Sequence, residues 1–146
     1  MNKLNSQTNK KFGLVKIKTS SDERGFLSKF QFDNHFFFNP KEFFLVYGVP
    51  DGQVRGQHAH HQCHQMLISA SGSINVDVDD GSQKEMFTLN SQDFALYLPP
   101  YTWASQHQFS KDAVLLVFCS EYYDTADYIR DYDSFIKITS FKDLRN

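Results

Sequence analysis

The sequence predicts an all-β sandwich or barrel with a short helix near its C-terminus, and three observations carry that prediction. Apolar and polar residues alternate at period two, most clearly over 74–79, where Ile74, Val76 and Val78 alternate with Asn75, Asp77 and Asp79. That pattern marks a strand with one face buried and the other wet. Turn signals recur about every 8–12 residues, the spacing of antiparallel all-β domains. A single segment, 124–137, carries helical spacing.

Taken in chain order, residues 1–11 form a polar tail, and one domain is expected over 12–146. Strands are expected at 13–18, 26–32, 42–48, 54–60, 65–70, 74–79, 84–89, 94–98 and 113–119. Ser71-Gly72 and Asp80-Gly81 mark tight turns, because Gly and Asp tolerate positive φ. Phe36, Phe37 and Phe38 break the alternation just before Asn39-Pro40. With Phe43 and Phe44 close behind, they supply either ordinary core or a buried interface. In the helical segment, Tyr128, Ile129, Tyr132 and Phe135 fall on one face, and Asp124 is placed to cap its start.

Lys and Arg number 15 against 17 Asp and Glu, a net charge of −2. A chain that grips nucleic acid or an anionic membrane needs a basic excess, so neither is expected as a partner. No apolar run approaches the ~20 residues of a transmembrane helix. The first ten residues lack the apolar stretch of a secretory signal. Cys63 and Cys119 are expected as two reduced thiols in a cytoplasmic protein.

Four of the six histidines fall within seven residues: His58, His60, His61 and His64. On a strand, His58 and His60 share a face, roughly 6.5–7 Å apart, and His61 points the other way. Two imidazoles on an inner face have three readings. They can ligate a metal through neutral nitrogens. They can move protons, since an ordinary histidine titrates near neutral pH. Or they can be polar core residues satisfied by their neighbours.

The spacing Gly52, five residues, His58, one residue, His60, four residues, Gln65, six residues, Gly72 resembles the first motif of the cupin superfamily. In that motif a metal-ligating Glu stands where this chain has Gln65, and neutral Gln is a much poorer ligand. The second cupin motif would place a histidine five residues after its proline. Here Pro99 leads to Ala104, and His107 lies out of register. Two of four ligands are missing, whereas a catalytic metal site usually keeps three. No metal is therefore expected, and the histidine pair is left to acid–base work.

The flanking strings narrow the resemblance. Asp22-Glu23-Arg24-Gly25, Arg55-Gly56-Gln57-His58-Ala59-His60, Val78-Asp79-Asp80-Gly81, Pro99-Pro100-Tyr101-Thr102-Trp103, Phe109-Ser110 and the run from Ser120 to Tyr132 occur in order. Together they resemble the cupin-type sugar 3,4-ketoisomerases that act on dTDP-4-keto-6-deoxy-D-glucose, from about residue 12 to 137. The resemblance implies an all-β cupin jelly-roll barrel without metal or other cofactor. It also implies a homodimer that exchanges N-terminal strands, at work in making dTDP-linked amino sugars for surface polysaccharide.

It further implies a division of labour. A base removes the C3 proton, acidified by the C4 ketone, and the enediol or enediolate is reprotonated at C4. His58 is assigned as the base and His60 as the proton shuttle, roles that could be exchanged. Arg55 is expected at the pyrophosphate or sugar end, where a guanidinium binds phosphate bidentately. Arg24 is expected near the sugar ring and Gln65 on a sugar oxygen or a histidine. Trp103 is expected over the pocket mouth or in the core, and Arg130 in support of the fold or dimer. Ala104 stands where a polar residue is usual, which leaves the product as either the 3-keto-6-deoxy-galacto or the -gluco sugar. Two rival functions are a 3,5-epimerase of the same nucleotide sugar and a non-catalytic sugar-nucleotide-binding cupin.

Overall fold

The computed structural model describes residues 11–33 and 37–145. Phe36 and nearly all of the polar tail lie outside the described residues. Twelve strands and one helix follow in order: β1 Gly13–Lys16, β2 Lys18–Asp22, β3 Gly25–Lys29, β4 Glu42–Tyr47, β5 Arg55–His60, β6 Gln65–Ser71, β7 Ile74–Asp79, β8 Lys84–Leu89, β9 Phe94–Leu98, β10 Trp103–His107, β11 Val114–Cys119, β12 Tyr128–Ile129 and α1 Tyr132–Asp143. Two five-stranded antiparallel sheets, ordered β1-β9-β6-β11-β4 and β12-β5-β10-β7-β8, face each other as a cupin jelly roll. Among the described residues, β2 and β3 pair only with each other, as a separate ribbon.

Period two sets which residues meet between the sheets. Ile74, Val76 and Val78 turn inward from β7 and pack against Leu67, Leu96, Leu115 and Val117 of the opposite sheet. Both sheets are also covered on their outer faces. Ile17 and Phe38 cover Met66, Ile68 and Tyr97 on one side. On the other, α1 sets Phe135 against Ala59 and Ile129. β6 is buried on both faces over Met66–Ser69, which is why its apolar run does not alternate.

Most expected strands stand within a residue or two of their places. β10 was not anticipated, since Trp103-Ala104-Ser105-Gln106-His107 holds no alternating apolar pair. The helix begins later than its spacing predicts. Asp124 does cap a turn, accepting from the Ala126 amide, but this is one turn of 3₁₀-helix over Thr125–Asp127. Tyr128 and Ile129 then pair with His60 and Ala59 as strand β12. Asp131 is the cap of α1, accepting from the Ser134 amide and hydroxyl. Gly81, at φ +94°, lets the β7–β8 turn approach α1: a Cβ there would collide with the Thr139 side chain.

Candidate active site

A cavity of about 450 Å³ opens at one end of the barrel, walled by Arg55, His60, Cys63, Gln65, Asp127 and Tyr128 among others. β5 supplies two of these, and a bulge in it decides which. Ala104 of β10 faces His58, and Gln106 faces Arg55, with the register shifting between Ala104 and Ser105. Gly56 and Gln57 share the shift, at φ +81° and +61°. Residues 104 and 106 lie on one face of β10, so Arg55 and His58 lie on one face of β5 although three positions apart. Strict alternation would have turned Arg55 to the opposite face. Gly56 is required here, because a Cβ would come within 2.9 Å of the Ala104 carbonyl.

His58 and His60 meet edge to face, ring centres 5.0 Å apart, and Tyr128 packs against both at 4.7 and 4.5 Å. His58 Nδ1 lies 3.1 Å from the Gly56 carbonyl oxygen, which can only accept. His60 Nδ1 lies 3.0 Å from Asp127 Oδ2. Each Nδ1 therefore carries the proton, and each Nε2 keeps its lone pair. His60 Nε2 is buried and has no hydrogen-bond partner among the described residues. The Asp127 carboxylate is itself held, accepting from the Gln62 amide at 2.7 Å and the Cys63 amide at 3.2 Å.

Burial pushes the His58 imidazole down to about 4, helped by His60 beside it. Burial also lowers His60, and Asp127 opposes that by hydrogen bond and by charge. The Arg130 guanidinium, 4.4 Å over the Tyr128 ring, adds a smaller push in the same direction on both histidines. Both rings are thus neutral bases at pH 7. Close by, Cys119 lowers the Cys63 thiol to about 7 through a hydrogen bond, and Cys63 in turn raises Cys119.

The structure brings together four of the six residues expected from sequence. His58, His60 and Arg55 share the inner face of β5, and Gln65 reaches the cavity from the start of β6, donating to Cys119 Sγ at 3.6 Å. Arg24 is apart, in the exposed β2–β3 turn, with its guanidinium 2.6 Å from Asp22. Trp103 takes the second of its two expected places, packed in the core and not over the pocket mouth. It precedes inward-facing Ala104 and so points outward, under α1, against Tyr132 at 5.3 Å and Phe135 at 5.7 Å. Its place is the seam between helix and sheet, away from the cavity wall.

Asp127 and Tyr128 were missed as site residues. Their string Asp127-Tyr128-Ile129-Arg130 falls inside the segment expected to be helical, which hides a carboxylate aimed at β5. The available signal was aromatic and β-branched Tyr128-Ile129, a pair that favours a strand.

Residues 10–140 match the family model described as FdtA: WxcM-like, C-terminal. A TDP-4-oxo-6-deoxy-alpha-D-glucose-3,4-oxoisomerase of Aneurinibacillus thermoaerophilus is 36% identical over 124 residues, 85% of this chain and 89% of that protein. The structure of WlaRA, a TDP-fucose-3,4-ketoisomerase from Campylobacter jejuni, superimposes with a TM-score of 0.82 at 33% identity, covering 88% of this chain and 95% of that one. A histidine-to-asparagine mutant of the 3,4-ketoisomerase QdtA from Thermoanaerobacterium thermosaccharolyticum, in complex with TDP-4-keto-6-deoxyglucose, superimposes at 0.85 and 32% identity, covering 88% and 94%.

Proposed function

We propose that this chain, which belongs to the FdtA family, is a TDP-sugar 3,4-ketoisomerase that moves the keto group of dTDP-4-keto-6-deoxy-D-glucose from C4 to C3. The observation that carries the mechanism is the His58–His60 pair, with both Nε2 lone pairs on the barrel's inner face. His58 Nε2 takes the C3 proton, which the neighbouring ketone acidifies. Its depressed pKa keeps it in the basic form at pH 7. The electrons left at C3 form the enediolate, with negative charge on the C4 oxygen. His60 carries a proton between the C3 and C4 oxygens. Asp127 suits it to this role, because a carboxylate at Nδ1 stabilises the imidazolium while the proton is in transit. His58 returns its proton at C4, which leaves the ketone at C3 and no net change in redox state.

Arg55 stands on the same wall and binds the pyrophosphate or sugar end. Gln65 holds a sugar oxygen. The reading extends to assembly as a homodimer. The ribbon leaves Phe26 86% and Leu27 57% exposed, and β4, at the edge of its sheet, leaves Phe43 63% and Tyr47 68% exposed. Apolar area of this kind is covered in a stable protein. A ribbon laid across a second copy would carry Arg24 toward that copy's sugar site.

No helix among the described residues is long and apolar enough to cross a membrane. The two thiols are unpaired, which fits a reducing cytoplasm. The product, a 3-keto sugar, is the substrate type of an aminotransferase, and so leads toward amino sugars for surface polysaccharide. The test is NMR of dTDP-4-keto-6-deoxyglucose incubated with the protein in heavy water. Deuterium at the reacting carbons with migration of the ketone to C3 is expected. Exchange at both C3 and C5 without migration would mean epimerisation, and neither exchange nor migration would mean binding alone.

A further inference from the structure

The proton transfers use His60 and Asp127 on the cavity wall but leave Cys63 beside them unexplained. A ring nitrogen of His60, the Cys63 sulfur and a carboxylate oxygen of Asp127 lie within 4.8 Å of one another. We propose that His60, Cys63 and Asp127 form a binding site for a thiophilic divalent cation, zinc above all, and that an ion held there blocks the isomerisation.

The ligand set points to that class of metal. An imidazole, a thiolate and a carboxylate suit Zn²⁺ and Co²⁺, whereas Mg²⁺ and Ca²⁺ require a shell of oxygens. Three protein ligands beside a cavity leave a fourth position open, as zinc accepts readily. The spacing is already close. His60 Nδ1 and Asp127 Oδ2 stand 3.0 Å apart, and two ligands each about 2.1 Å from one tetrahedral ion stand roughly 3.4 Å apart. The ion would take the place of the proton they share. Backbone holds the arrangement, because the Cys63 amide donates to the same Asp127 oxygen at 3.2 Å. This site shares only His60 with the cupin motif. Cys63 is one of the motif's unspecified positions, between β5 and β6, and Asp127 comes from outside it, ahead of β12.

Inhibition follows from the tautomer. With its proton on Nδ1, His60 offers an Nε2 lone pair to the substrate. A metal on Nδ1 forces the ring proton onto Nε2, which then only donates and can no longer relay. Where Cys63 is still a thiol it loses its proton to solvent as it becomes a ligand, so up to one proton is released per ion bound. Metal binding stands apart from the proposed isomerisation, whereas the inhibitory half rests on it.

The experiment titrates Co²⁺ into the metal-stripped full-length protein and follows the thiolate-to-cobalt charge-transfer band in the near ultraviolet. The wild type should show the band, and equimolar Zn²⁺ should erase it. Cys63→Ala should lose the band and bind Zn²⁺ at least about tenfold more weakly, while Cys119→Ala keeps the band. Absence of the band in the wild type, or its survival in Cys63→Ala, overturns the site whether or not every variant folds. Zn²⁺ should then inhibit turnover at concentrations where Mg²⁺ does nothing. Undiminished turnover by zinc-loaded protein overturns the inhibitory half. A metal-stripped protein with no turnover at all would instead fail the isomerase assignment, and the cobalt band would still decide the site.

Discussion

β5 and β4 break the usual rule of burial in opposite directions. β5 turns His58 and His60 into the barrel, where apolar side chains normally sit, and His60 is 7% exposed. β4 turns Phe43, Leu45 and Tyr47 outward, where polar side chains normally sit. β7, by contrast, follows the rule, with Ile74, Val76 and Val78 inside. Local pattern and global fold agree along β7, which serves the core alone. Departures of this kind concentrate where a protein does something besides fold. On that reasoning β5 serves chemistry and β4 serves association.

The sharpest way to break the comparison is at β5. His58→Asn should lower turnover by at least about 10²-fold, the value of a positioned base, and should abolish exchange of the C3 proton with solvent. His60→Asn should slow ketone migration comparably but retain some C3 exchange, because exchange needs only the first transfer. Near-native turnover by either variant, in protein shown to be folded, would make the pair structural. Asp127→Asn comes next. It should lower kcat at least about tenfold by releasing His60 from its tautomer, as loss of a histidine's orienting carboxylate does elsewhere. It should also lower the His60 pKa further, since Asp127 is what opposes burial there. A titration by NMR would read that shift.

Gly56→Ala tests the bulge. Positive φ and the backbone contact at Ala104 together should cost more than about 1 kcal/mol, measured by urea denaturation. A variant that folds nonetheless should bind dTDP more weakly, because Arg55 leaves the cavity face. At β4, Phe43→Asp should shift sedimentation toward a monomer. A dimer that persists would place the interface elsewhere.

The pH profile has a definite sign. His58 titrates near 4 in the folded chain, below the ordinary value of about 6.5. Its basic form, and so kcat/KM, should hold as pH falls from 7 and drop only as pH nears 4. Stability should change sooner. The unfolded chain takes up the proton first, so the contribution of buried neutral His58 is full above pH ~6.5 and is lost between there and about 4. The smallest expected effect is that of exhaustive EDTA treatment, after which turnover should be retained. Loss restored by a single divalent metal would reverse the expectation drawn from Gln65 and Ala104.

The sequence by itself determined most of the strands, the all-β class and the H-x-H pair. The reason is that period-two burial and turn chemistry are local, written within a few residues of each other. The resemblance in the strings around Arg55, His58 and Asp127 added the reaction. Tertiary structure alone decided the rest. The helix start depended on whether Tyr128 and Ile129 could find an open edge on β5, and no window of the sequence shows that edge. Trp103 went outward because its neighbour Ala104 faces His58 across a strand pair whose register only the fold sets. Arg55 joined the histidines because one glycine reset the alternation. Asp127 became a site residue because a turn 67 positions beyond His60 returns to it. Contacts between residues distant in sequence depend on how the sheets close, and that is settled by packing across the whole barrel.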